Sequence, residues 1–307
     1  MITVHALRKT YKARTAVDDL SFTVAAGHVT GFVGPNGAGK STTMRMMVGL
    51  TRPDSGSVTY DGVPYTALKD PARLVGSVLD ARCMHPGRTA RNHLRALAAA
   101  SDVAPSRIGE VLADVGLATA ADQRAGGFSL GMRQRLALAG ALLGDPEVLL
   151  LDEPSNGLDP DGIRWLRNYL RGYAERGGTV FVSSHLIGEL SMFADDLVVV
   201  GSGRLLAAEP VATITSRSAT TVIVQTTQAD HLTALLLSKG LAATSAGDRV
   251  SVHGSTRTAV SQIAFDHHVR VDELTETSRS LEDTLLDLTR SSAEFSSSCT
   301  STSSEGH

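Results

Sequence analysis

Apolar residues in the first two hundred positions fall into short continuous runs separated by glycine- and proline-bearing turns. Val148-Leu149-Leu150-Leu151 is apolar at every position, as in a strand covered on both faces. Residues 29–33 and 179–183 read as strands of similar character, with a strand at 21–24 ahead of a turn at Ala26-Gly27. Residues 57–60 read as a short strand closed by the turn pair Asp61-Gly62. Helical patterns lie between the strands: 39–50, ended by Gly49 and Pro53, a long Ala-rich stretch over 89–141, and 160–175. Residues 197–200 and 204–207 read as a hairpin over Gly201-Ser202-Gly203. Strand and helix in alternation predict an α/β layered architecture.

Near Pro210 the composition shifts. Strand patterns at 221–225 and 249–253 and a helical one at 231–239 predict a small α+β domain over residues 216–290. Residues 291–307 are rich in Ser and Thr with little to bury, and are expected to be disordered. The predicted organisation is therefore a large domain over 1–212, an accessory domain over 216–290 and a tail over 291–307.

Charge and cysteine content narrow the function classes. A net charge of −3 lacks the basic footprint of a nucleic-acid binder, so no nucleic-acid partner is expected. Two distant cysteines, Cys83 and Cys299, suggest neither a disulfide framework nor a metal site. The N-terminus has no secretory pattern, and no apolar run reaches the roughly 18–20 residues needed to span a bilayer. Any membrane role needs a separate chain for the membrane part.

The strongest local signal is Gly34-Pro35-Asn36-Gly37-Ala38-Gly39-Lys40-Ser41-Thr42, a phosphate-binding loop set between a strand and a helix. Its glycines let successive N–H groups turn toward an anion, and the helix behind adds the positive end of its dipole. Lys40 is placed to reach the β- and γ-phosphates, and Ser41 to ligate Mg²⁺. The buried strand at 148–151 ends in Asp152-Glu153. Adjacent carboxylates there need a positive partner. A magnesium nucleotide provides one, with Asp152 holding the metal and Glu153 polarising the attacking water.

Phe128-Ser129-Leu130-Gly131-Met132-Arg133-Gln134-Arg135, just upstream of that strand, resembles the signature of the ATP-binding-cassette (ABC) family, whose usual core is Leu-Ser-Gly-Gly-Gln. Further positions are similar to the family pattern in the right order. Tyr11 stands where an aromatic stacks on adenine, and Ser155-Asn156-Gly157-Leu158-Asp159 where the D-loop lies. His185 stands in the place of the switch histidine. The resemblance covers about residues 1–210, and the form of the signature, with 79–82 and 85–89, is closest to the drug-export branch typified by daunorubicin-resistance ATPases.

The resemblance implies a cassette with a RecA-like core, an antiparallel β subdomain and an α-helical signature subdomain. It implies ATP and Mg²⁺ as cofactors, catalytic roles for Glu153 and His185, and adenine stacking by Tyr11. Two cassettes would close on ATP, with Ser129, Leu130, Gly131 and Met132 reaching the partner's nucleotide and Asp159 in the D-loop. The partner would be a transmembrane permease, and the chain would sit peripherally at the cytoplasmic face of the membrane. A cytosolic ABC ATPase without a transporter partner is the alternative. Two departures stand out: Leu130 and Met132 replace the usual Gly and Gln, and Asp80 occupies the place of the Q-loop glutamine, where a carboxylate could also serve as a metal ligand. Met44 and Met47 read as core packing, and Arg82, Arg88, Arg91 and Arg95 as a basic face close to the expected docking surface.

Overall fold

The computed structural model describes residues 1–12, 14–80, 84–217 and 220–278. The expected tail at 291–307, both cysteines and Arg82 lie outside the described residues. Two compact units are present, one over Met1–Val211 and a second beginning at Ala212.

The first unit opens with β1 (Ile2–Tyr11) and β2 (Arg14–Val24), then β3 (Val29–Val33), the phosphate loop and α1 (Lys40–Met47). β4 (Ser55–Tyr60), β5 (Val63–Pro64), α2 (Pro71–Leu74) and β6 (Val75–Val78) follow. Three helices come next, α3 (Ala90–Ala100), α4 (Arg107–Asp114) and α5 (Leu130–Ala141). The chain then runs through β7 (Val148–Leu151), α6 (Pro160–Glu175), β8 (Thr179–Ser184), α7 (Ile187–Ser191), β9 (Asp196–Gly201) and β10 (Arg204–Pro210).

These strands form two sheets. One is antiparallel, in the order β2-β1-β4-β5. The other has six strands in the order β10-β9-β3-β8-β7-β6, parallel except for the β9–β10 hairpin. Every residue of β3, β7 and β8 is buried, which explains why those strands read as unbroken runs. Phe22 of β2, Phe32 of β3 and Phe181 of β8 meet with ring centroids 5.1–5.7 Å apart, joining the two sheets in one core that also takes up Met44 and Met47. Phe181→Ala is expected to cost about 3–5 kcal/mol, read as a lower urea midpoint with unchanged slope.

In the helical segment, Leu94, Ile108, Val111, Leu112 and Leu136 are buried between α3, α4 and α5. Arg107 of α4 donates to Asp145 at 2.9 Å, tying this segment to the loop that enters β7. Parallel strands align their carboxyl ends, so Val33 pairs with Ser184, and Leu151 with Val182 and Val78. The segments following β3, β7, β8 and β6 therefore emerge along one edge, where ligands bind in open α/β sheets.

In the second unit, after α8 (Val211–Arg217), the order is β11 (Thr220–Gln225), α9 (Ala229–Ser238), β12 (Ala242–Ala246), β13 (Arg249–His253), α10 (Arg257–Asp266) and β14 (Glu273–Ser278). Its sheet, β12-β13-β11-β14, is antiparallel throughout. This is the ferredoxin-like β-α-β-β-α-β arrangement. Val222, Val224, Val250 and Val252 are fully buried in its core with Leu232, Leu236 and Val260. Alternation on β13 is clean, whereas Ala242–Ala246 lacks bulky apolar residues and gave no strand signal in the sequence.

Candidate nucleotide site

The phosphate loop connects β3 to α1 and turns at residues only glycine suits well. Gly39, which caps α1, has φ +99°, and a side chain there would collide with the Ala16 carbonyl oxygen. The first-turn N–H groups of α1, from Lys40 onward, have no intrahelical acceptor and are available to an anion. A hollow of about 420 Å³ opens above the loop, lined by Asn36–Thr42 together with Tyr11, Arg14, Ala16, Glu153, Asn156 and His185.

Lys40 is the buried cation of this site, 6 % exposed. Its ammonium donates to the Gly34 carbonyl at 2.7 Å and stands 3.4 Å from Glu153 Oε1. The other oxygen of Glu153 lies 2.8 Å from His185 Nδ1. One carboxylate is thus held between an ammonium and an imidazole. Glu153 also adopts φ +49°, a left-handed backbone unusual for a residue with a side chain, and its N–H donates to Ser183 Oγ at 2.9 Å. Ser183 in turn donates to Asp152 Oδ1 at 2.6 Å. A single serine, fully buried at the end of β8, fixes both the Asp152 side chain and the Glu153 backbone.

Tyr11 ends β1 at the rim, 47 % exposed, with the Lys9 ammonium 5.5 Å from its ring centroid. Lys9 is anchored by Asp54 at 2.9 Å, which holds this strand end in place. Arg14, the cross-strand neighbour of Tyr11, brings its guanidinium to 3.5 Å from the Gly37 carbonyl oxygen. Sequence reading missed Arg14, Ala16 and Ser183, and placed Asn156 only within the D-loop. Their signal is the pairing of β1 with β2 and the alignment of β7 with β8, which a linear motif does not carry.

The other sequence-predicted residues lie elsewhere. Ser129 caps α5, its hydroxyl accepting from Met132 N–H at 3.2 Å, and none of Ser129, Leu130, Gly131 or Met132 lines the hollow of this chain. Asp159 caps α6 by accepting from Gly162 N–H at 2.8 Å. Asp80 follows β6, and lines a second hollow with Arg45, Leu50, His93 and Leu97. Arg91 is paired with Asp122 at 2.9 Å.

Residues 17–156 match the family described as "ABC transporter", and residues 220–282 match "Domain of unknown function (DUF8746)". The Bacillus subtilis (strain 168) "Uncharacterized ABC transporter ATP-binding protein YhcH" is 36 % identical over 291 residues, covering 93 % of this chain and 95 % of that protein. The chain is an ABC transporter ATP-binding protein.

Other ABC proteins support the same placement. The "Bacitracin transport ATP-binding protein BcrA" of Bacillus licheniformis is 41 % identical over 203 residues, covering 65 % of this chain and 66 % of that one. Among solved structures, the dimeric bacterial ABC transporter cassette MJ0796 is similar with a TM-score of 0.63 at 26 % identity, covering 69 % of this chain and 99 % of that chain. The parallel sheet with its phosphate loop, the antiparallel sheet and the α3–α5 segment are accordingly the RecA-like core, β subdomain and signature subdomain of an ABC cassette. Among the described residues no helix of the cassette or the second unit is long and apolar enough to cross a membrane.

Proposed function

We propose that this ABC protein hydrolyses ATP to drive a separate membrane permease that exports drug-like or lipophilic compounds. The observation that carries the reading is the carboxylate of Glu153 held between Lys40 and His185 at the mouth of the phosphate loop. Lys40 marks where β- and γ-phosphates lie, so Glu153 faces the place where water attacks the terminal phosphorus, and His185 orients it. Tyr11 stacks on adenine, and Arg14 reaches toward the phosphates between Tyr11 and the loop.

Mg²⁺ fits the donors present. Ser41 lines the hollow, and Asp152, held by Ser183 next to Glu153, would add a second hard oxygen ligand; among the described residues no cluster of three or more His, Cys, Asp or Glu forms a metal cage. A magnesium ion bound mainly through nucleotide oxygens needs only one or two protein ligands; it would neutralise phosphate charge during transfer.

Two chains would close head to tail, each giving Ser129 and Gly131 to its partner's γ-phosphate while Asp159 holds the D-loop on α6. That signature residues fall outside their own chain's hollow supports this arrangement, as do the dimeric cassettes among similar structures. Asp80, which follows β6 and lines the second hollow, would link the site to the permease and could offer a further oxygen to the metal. A relative named for Nod factor export favours export as the direction, beside others named for bacitracin and lantibiotic transport; the daunorubicin-type assignment rests on the motif forms alone. The three-part organisation over 1–212, 216–290 and 291–307 belongs to the same reading, with the ferredoxin-like unit regulating or stabilising the dimer.

Fractionation tests the transport role. Tagged chain isolated from its own cells is expected on the membrane pellet, together with a polytopic membrane protein and MgATP hydrolysis. Recovery from the soluble fraction alone would favour the non-transport alternative. Arg14→Ala is expected to weaken ATP and ADP alike by about two- to five-fold, the scale of an exposed ionic contact, and to leave adenosine binding unchanged by calorimetry.

A further inference from the structure

The signature departs from the usual family form at Leu130, and the D-loop of the same chain is shaped to receive it. A methyl group at Gly157 would overlap Leu130 Cδ2 and lie 2.9 Å from Leu130 Cγ, so the leucine rests on bare backbone. Gly157 has φ +76°, the left-handed region. One position further along each segment the sizes reverse: a methyl group at Gly131 would lie 3.3 Å from Leu158 Cδ2. Large meets small twice across the contact.

A second tie lies a turn and a half up the signature helix. The Arg135 guanidinium sits 4.0 Å over the ring of Trp165, in the helix that the D-loop leads into. Its Nη1 also donates to the Val115 carbonyl oxygen at 3.0 Å, which anchors the arginine within the helical segment. Since Asp159 caps α6, the D-loop is fixed to one end of the helix that Arg135 grips.

We propose that Leu130 and Gly157 are matched positioning residues which, with Arg135 over Trp165, lock the signature helix to the D-loop of the same chain. The two elements that one cassette offers across the closed dimer then arrive at the partner's nucleotide as a single body. The inference rests on the head-to-tail dimer proposed above. It gives the Leu130 departure a compensating partner: a side chain at 157 would displace the leucine, whereas glycine at 130, the usual family residue, would leave room for one.

The test is a reciprocal-rescue cycle in the Glu153→Gln background, with Gly157→Asn, Leu130→Gly and the double variant. Asparagine tolerates the left-handed region, so the substitution chiefly probes the clash with Leu130. Gly157→Asn is expected to raise the MgATP concentration needed for half-dimerisation by about ten-fold, within the range of direct couplings, and Leu130→Gly to remove most of that effect. ADP affinity of the single chain should stay within about two-fold in all variants, because neither residue lines its own hollow. An equal effect of Gly157→Asn with or without Leu130, or none at all, overturns the lock. Thermal melts of the same four proteins without nucleotide separate the two layers. Non-additive melting shifts in a parent that never dimerises would retain the in-chain contact while sinking the dimer; additive shifts would sink the lock even where dimers form.

Discussion

Glu153→Gln is expected to slow ATP hydrolysis by about 10²–10⁴-fold and to trap a dimer in saturating MgATP. The amide keeps the size of the side chain and a hydrogen-bonding atom for His185, which stands 2.8 Å from the carboxylate. It cannot accept the proton of an attacking water. Loss of the negative charge also removes a competitor for Lys40, 3.4 Å away, and a repulsion toward the triphosphate, so ATP affinity should hold or rise. Binding would proceed while the step that reopens the dimer stalls, a phosphate-driven switch held in one state. Single-turnover hydrolysis and light scattering behind gel filtration measure the two effects. Turnover at the parent rate would remove Glu153 as the base; a variant that binds MgATP yet stays monomeric would remove the shared site.

The parts of this site legible in the sequence are those that one short segment encodes completely. The phosphate loop is such a segment, because its chemistry is backbone N–H groups, one lysine and one hydroxyl in sequence order. Asp152-Glu153 was legible because four apolar residues announce a buried strand and the carboxylates announce its end. Arg14 and Ser183 were not, since each matters through a strand partner: Arg14 through its register with Tyr11, and Ser183 through the alignment of β8 with β7. Strand β1 was hidden altogether. Its ten residues carry Lys9, Arg8 and His5 among the apolar positions, and bulges between Val4 and Thr10 break the alternation that would have marked it. In the second unit, strand β12 has almost no apolar content, and is specified by its pairing with β13 instead of by its own residues.

Lys40→Ala is expected to weaken ATP binding by about 10- to 150-fold, the value of a charge-assisted contact of roughly 1.5–3 kcal/mol. Lys40 is buried, and its ammonium is shared among the Gly34 carbonyl at 2.7 Å, the Pro35 carbonyl at 3.4 Å and Glu153. A triphosphate therefore enters a site where the cation is already positioned, and its anionic oxygens compete with neutral carbonyls for the same protons. Removing the ammonium strips the phosphates of that contact and leaves Glu153 facing them without its counter-charge, so the two losses act in the same direction. Adenosine binding, which depends on Tyr11, should change little. Lys40→Arg is not expected to rescue, because a planar fork cannot occupy the space of a compact ammonium packed inside the loop. Calorimetry with ATP, ADP and adenosine on the three proteins separates these contributions, and tight ATP binding retained by Lys40→Ala would show that the loop holds phosphate by its backbone alone.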